Sequence, residues 1–214
     1  MIILAIETST TQGSVALLRD GDCLLAKTFT SERSHNSQIF GPLGEALEIT
    51  KPDLVVAGTG PGSYTGARIG IAAGIGISLT HGAKLIGLPS VIAADVAAPE
   101  STYHLIGDAR RSSYFYAEVT DRQLARAPEL ISKDALAELL ENEFHFITFD
   151  PKPPAEGIGV TNPTAQILAG IASTLTEAEI NKLAAAPVTP HYMSAPFVTP
   201  PKKKREHEVK PERG

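Results

Sequence analysis

MIILAIETSTTQGSVALLRDGDCLLAKTF, residues 1–29, holds three strand-length runs in close succession. Ile2–Ile6 is apolar, Ser14–Leu18 is small and apolar, and Cys23–Phe29 can return antiparallel after the turn Asp20-Gly21-Asp22. Thr8–Gly13 is a Thr/Ser/Gly loop between the first two. The chain therefore opens on a β-meander rather than a βαβ crossover. Cys23, among apolar strand neighbours, reads as a core residue and not a nucleophile.

Further along, residues 35–48 place Ile39, Leu43, Ala46 and Leu47 on one helix face. Leu54–Ala57 reads as a buried strand, Tyr64–Leu79 as a helix and Lys84–Leu88 as a strand. Pro89 fits the first turn of a helix over Ser90–Val96. The second half starts again with strands, Tyr103–Gly107 and Ser113–Thr120, around the turn Asp108-Ala109-Arg110-Arg111. A helix capped by Ser132, a strand over Phe144–Phe149 and a helix over Pro163–Ile171 capped by Asn162 follow. Two β-led halves suggest one lobe type used twice.

Composition narrows the function. The 214 residues are 43% hydrophobic and 20% charged, ordinary for a globular chain. Lys and Arg number 19 against 24 Asp and Glu, net −5, which disfavours a strongly basic nucleic-acid binder. Residues 201–214 carry six basic and three acidic side chains, +3 in all, leaving the rest at −8. That tail has one apolar side chain, Val209, and reads as a solvated end; Lys202-Lys203-Lys204-Arg205 offers RNA steering as the alternative. A single cysteine excludes an internal disulfide and multi-cysteine metal sites. No stretch has the length and apolarity of a membrane span or the layout of a signal peptide, so the expected address is the cytoplasm, with no membrane partner.

The most distinctive segment is GTGPGSYTG, residues 58–66, between a strand and a helix. That is the position of a phosphate cradle, yet it matches neither GxxxxGK[ST] nor GxGxxG. In the helix that follows, Gly62, Gly66, Gly70, Gly74 and Ser78 recur every four residues. Gly66, Gly70, Gly74 and Gly76 together would cost the helix about 4 kcal/mol relative to alanine, so something must need the bare strip. Two explanations stand: close packing on the helix's own sheet, or a helix-to-helix interface with a second polypeptide. Catalytic constellations are sparse. The six histidines form no HxxxH pair, and there is no GxSxG elbow. Glu7 and Asp108 fall at strand ends, where either a magnesium ion or a plain turn explains a carboxylate. Thr8, Ser9, Thr10 and Thr11 suit either a phosphate or a hairpin loop.

Three segments in order, ILAIETSTTQGSVALLRDG (3–21), AGTGPGSYTGARIGIAAGIGIS (57–78) and IGDARRSSYFYAEV (106–119), resemble the TsaB (YeaZ) family, with a looser likeness at PHYMSAPFV (190–198). The resemblance implies an α/β fold of two actin/hexokinase/Hsp70-like (ribonuclease H-like) lobes, each a mixed sheet flanked by helices. The lobes would be residues 1–99 and a shorter 100–200, followed by a disordered tail over 201–214. It implies a non-catalytic subunit that binds TsaD for threonylcarbamoyl transfer to adenosine 37 of tRNA. A TsaE-like ATPase would join through the complex, tRNA would be met indirectly, and the chain alone would form a homodimer. The interface is carried over to Gly66, Arg68, Ile69, Gly70, Ala73 and Gly74. TsaD's metal-binding histidine pair falls here on His35 and Ile39, so neither a metal site nor a catalytic residue is expected. No cofactor is required, with ATP or ADP at a shared interface left open. The alternatives are an actin-superfamily ATPase or phosphotransferase, using Thr8, Ser9, Thr10, Gly60 and Gly62 on phosphates and Asp108 on magnesium, or a glycoprotease relative.

Overall fold

β1 (Ile2–Glu7), β2 (Gln12–Arg19) and β3 (Asp22–Thr30) form the antiparallel meander, and β4 (Leu54–Gly58) and β5 (Lys84–Leu88) add parallel strands on the other side of β1. The sheet order is β3-β2-β1-β4-β5. The computed structural model describes residues 1–30, 38–96, 102–110 and 113–193. His35, Arg111 and the basic tail lie outside the described residues.

The second sheet comprises β6 (Tyr103–Arg110), β7 (Ser113–Thr120), β8 (Gln123–Ile131), β9 (Phe146–Thr148) and β10 (Gly159–Val160). Its order, β8-β7-β6-β9-β10, repeats the first: an antiparallel meander on one side of the leading strand and parallel strands on the other. The lobe is used twice, as two five-stranded mixed sheets of the same strand order.

Both faces of the central strands β1, β2 and β4 are buried, which is why they read as nearly continuous apolar runs. Leu4, Ile6, Val15, Leu17 and Val55 meet α1 (Phe40–Ile49) and α2 (Tyr64–His81) on one face. Ile3, Ala5, Ala16, Leu18, Leu54 and Val56 point the other way, into a core shared with Tyr103, Leu105, Phe115, Val119 and Ile147 of the second lobe. α4 (Ala165–Ser173) packs on β1, β2 and β4, and α5 (Glu177–Ala184) on β5. Ser132 caps α3 (Lys133–Leu140) by accepting from Ala135 N.

Several expectations need correcting. Ser90–Ala93 is one 3₁₀ turn rather than a helix to Val96. Its carbonyls are claimed from outside: Val91 O by Tyr103 Oη at 2.6 Å, Ala93 O by Thr164 N at 3.0 Å and Ala94 O by Arg122. These tertiary donors displace the i→i−4 ladder. α4 is capped by Thr164, which accepts from Ile167 N, not by Asn162. Cys23 is exposed, because β3 is an edge strand with little above it. β8 went unforeseen because its residues are mostly exposed and Pro128 breaks the strand pattern; on an edge, both are tolerated.

Candidate functional site

The hairpin loops after β1 and β6 face each other across a cleft of about 550 Å³ between the lobes. Its second-lobe wall carries two carboxylates. Asp150 Oδ2 accepts from Asp108 N at 2.7 Å, and Asp108 Oδ1 accepts from Arg110 N at 2.7 Å. Arg110 Nη1 lies 3.7 Å from Asp108 Oδ2. Burial pushes the Asp150 carboxyl up, and the neighbouring Asp108 charge adds to this against the pull of its own hydrogen bonds. Asp108 thus lines the cleft as a half-exposed carboxylate whose nearest cation is already paired with it. Among the described lining residues, the charged side chains that an anion meets here are Asp108, Asp150 and Arg110.

The facing wall of the first lobe is braced by hydrogen bonds within the chain. Ser63 N donates to Ser9 O at 2.6 Å, and the Ser63 hydroxyl accepts from Gly66 N at 3.1 Å, so these amides at the α2 N-terminus are taken. A Cβ on Gly62 would fall on the Ser9 carbonyl oxygen, and one on Gly66 on that of Thr8. Thr8 Oγ1 donates to Gly66 O at 2.8 Å. Gly60 has φ +87, open to glycine and rarely to other residues. Its N–H donates to Ser90 Oγ, and its carbonyl accepts from Ser90 N, each at 2.9 Å. Thr10 Oγ1 donates to Gln12 O at 2.8 Å and reaches Asn162 Oδ1 of the second lobe at 3.4 Å. Of the expected cradle, Thr8, Thr10 and Gly60 have internal hydrogen-bond partners, whereas the buried Ser9 hydroxyl has none and lines the cleft with Thr10 and Gly62. The alternating glycines let two loops and a helix end lie in contact.

Glu7 closes β1 beneath this loop. It is fully buried; Oε1 accepts from Ser9 N at 2.6 Å, while Oε2 has no hydrogen-bond partner. A Cβ on Gly58 would collide with this carboxyl, so that glycine also serves internal contact. Burial pushes the Glu7 pKa up, against the opposing pull of Ser9, Ser90 and Thr8. Burial thus favours the neutral form of this carboxyl, which sits under a loop and away from solvent.

α2 resolves the other expectation. Gly66, Gly70 and Gly74 are buried against the chain's own sheet. A Cβ on Gly70 would strike Thr8 Oγ1 and come within 3.3 Å of Ile6; on Gly74 it would lie 3.2 Å from Leu85 and 3.4 Å from Val55. No second polypeptide reaches these three, and their place in the expected interface is corrected. Ile69 and Ala73 are half-buried against the cluster beneath α1 and α2. Arg68 is exposed. The outward face runs from Arg68 through Ala72, Ile75 and Gly76 to Leu79, which is 79% exposed. Phe40, at the start of α1, is 64% exposed. A Cβ on Gly41 or Gly44 of α1, or on Gly76, would meet nothing within 4 Å. The sequence reading counts Gly76 in the bare strip but does not single out Phe40, Gly41, Gly44 or Leu79, and Gly76 and Leu79 stand off the four-residue ladder.

A family model described as TsaD, tRNA N6-adenosine threonylcarbamoyltransferase, matches residues 31–187, well over half the chain. The chain belongs to this family. Within it, the chain sides with TsaB (YeaZ). The tRNA threonylcarbamoyladenosine biosynthesis protein TsaB of Haemophilus influenzae is 38% identical over 97 residues, 42% of this chain and 39% of that protein. The Escherichia coli protein of the same name is 35% identical over 97 residues, 43% of this chain and 42% of that one. The match thus spans about two fifths of the length of these curated relatives. YeaZ from Pseudomonas aeruginosa superposes with a TM-score of 0.67 over 89% of this chain and 99% of that one; at 19% identity this speaks for the fold alone.

Ile39 is fully buried in the cluster under α1, so its side chain serves packing. Among the described residues no group of three or more His, Cys, Asp or Glu is placed to hold a metal ion. No helix among them is long and apolar enough to cross a membrane.

Proposed function

We propose that this TsaB-like chain is a non-catalytic subunit that docks the outward face of α1 and α2 on a TsaD-like catalytic subunit and enables threonylcarbamoyl transfer to tRNA. The observation that carries this reading is the set of uncovered apolar side chains on the two helices, which on α1 stand beside the exposed Glu45 and Glu48. Phe40, Ile75 and Leu79 stand uncovered beside Gly41, Gly44 and Gly76, which cost helix stability and fill no internal contact. Glycines of that kind let another backbone come close. The subunit acts by differential binding: contacts that favour the competent TsaD conformation raise its population. The same face serves a homodimer when the chain is alone, so self-association and TsaD binding compete. A TsaE-like ATPase joins through the complex, tRNA is met through TsaD, and the chain needs no cofactor of its own.

The rival reading is an ATPase or phosphotransferase working in the inter-lobe cleft. Such a cycle closes lobes around a nucleotide, whereas here one apolar core runs through both sheets. ATP or ADP at an interface shared with the partner belongs to the same question. Isothermal titration of the isolated chain with Mg-ATP tests it: tight, metal-dependent binding favours the rival. The docking reading is tested by mixing the chain with the TsaD-like subunit of the same source and assaying tRNA modification. Leu79→Asp combined with Ile75→Asp should fold normally and weaken binding on the order of 100-fold, as burying unpaired charges in an interface does. Wild-type binding and modification by that double variant would refute the docking face.

A further inference from the structure

Arg68 is the only Lys or Arg on α2, and it is held in an unusual way. Its guanidinium carbon lies 3.8 Å above the centre of the Tyr64 ring and 5.4 Å from that of Tyr192. The two tyrosine rings stack at 4.6 Å with 29° between their planes. Arg68 Nε donates to Tyr192 Oη at 2.5 Å. Tyr192 comes from the end of the described chain, which crosses back to the first lobe; the adjacent His191 N donates to Thr59 O at 2.8 Å and fixes that crossing. Two segments 124 residues apart thus build one clasp at the place where the cleft mouth meets the outer face of α2.

Stacking on an aromatic face restricts the long arginine stem before any partner arrives and occupies only the plane of the guanidinium. The Nε edge is used by Tyr192, while among the described residues the Nη groups hold no hydrogen bond and Arg68 has no carboxylate partner. A planar fork, fixed in direction and lacking an anion, matches a carboxylate or a phosphate. The surroundings choose between them. Phosphates of RNA need a track of cations, yet the outward positions that follow are Ala72, Ile75, Gly76 and Leu79, and residues 1–200 carry −8. A single charge set at the end of an apolar strip fits one acidic side chain within a protein footprint.

We infer that Tyr64, Arg68 and Tyr192 form a receptor for one carboxylate carried by the protein partner that docks on α1 and α2. The inference rests on the docking reading above and names a specificity contact within it. Its test is isothermal titration of the full chain with the TsaD-like subunit of the same source, at low and high salt. Arg68→Ala should weaken binding roughly ten-fold at low salt, the scale of a charge-assisted contact, and flatten the salt dependence, with an unchanged melting temperature. Arg68→Lys keeps the charge but loses the fork, and should recover only part of the affinity. Tyr192→Phe keeps the stack and loses the acceptor, for a smaller loss. Wild-type affinity of Arg68→Ala at both salts overturns the receptor, as does an Arg68→Ala defect in binding to tRNA alone rather than to the protein. If the Leu79→Asp, Ile75→Asp variant abolishes binding while Arg68→Ala does not, only the receptor falls. If neither variant changes binding, the docking reading falls with it.

Discussion

On the inward face of α2, a Cβ added at Gly66 or Gly70 would strike Thr8, and one at Gly74 would press on Leu85 and Val55; on the outward face, one at Gly76 would meet nothing within 4 Å. The same residue type, on one helix, answers two different demands. Inside, glycine lets the helix settle onto the hairpin loop after β1, so the helix-propensity loss of about 1 kcal/mol at each site is offset by close backbone contact. Outside, the loss has no internal return. Spacing by four residues identifies a shared face, and it is silent on whether that face looks inward or outward. The regular ladder is the buried one. The outlier, Gly76, is the exposed one.

Substitution on the inward face should give the largest effect. At Gly66 a methyl group falls on the Thr8 carbonyl oxygen, a backbone atom that no rotamer change can move. Gly66→Ala should cost about 3 kcal/mol, the upper range for forced overpacking, and Gly70→Leu should leave no cooperative fold. Gly74→Ala meets only side-chain methyls at 3.2 and 3.4 Å, and should sit within about 1 kcal/mol of wild type. Urea denaturation monitored by circular dichroism orders the three. Equal stabilities would mean that the inward face has more room than these contacts allow.

This contrast also explains which parts of the molecule were legible beforehand. The meander was readable because the Asp20-Gly21 turn supplies two positive-φ residues, with φ of 51 and 93. The turn between β7 and β8 uses Asp121 and Arg122 at φ of 51 and 61 without a glycine, and gave no comparable signal. Thr176 and Glu179 form a capping box that announces α5, a pattern present in the sequence and passed over. The site was less legible than the fold. Gly62 looks like part of a phosphate loop because close backbone approach demands glycine whatever approaches, and here it is Ser9; Gly60 is needed for its positive φ. The Tyr64–Arg68–Tyr192 clasp joins residues 124 apart, beyond the reach of local pattern.

Glu7 sharpens the comparison from below, since it lies under the loop against which the inward face packs. Its pKa in the fold is raised by burial. Between the unfolded and folded pKa values the native state holds a proton that the unfolded chain has released, so stability falls as pH rises through that window. The contribution is complete below the ordinary glutamate pKa and is lost once pH passes the raised one. Glu7→Gln removes the titration and keeps the shape. Its urea midpoint, compared with that of wild type from acidic to mildly alkaline pH, should gain on wild type as pH rises and then level off. Parallel curves would show that the carboxyl titrates alike in both states.

The smallest effect tests the outward face most directly. Gly76→Ala adds a methyl group into open space within a helix, and should stabilise the isolated chain by about 1 kcal/mol. That is opposite in sign to Gly66→Ala, ten residues earlier on the same helix. The two faces then diverge again in the presence of a partner. If another backbone lies against Gly76, the added methyl must hold it off, and Gly76→Ala should bind the TsaD-like subunit more weakly although it is the more stable protein. Thermal melts of the isolated chain and titration with the partner read the two signs separately. A variant that gains stability and binds as wild type would leave Gly76 without a role in docking and would shift the footprint towards Phe40 and Leu79.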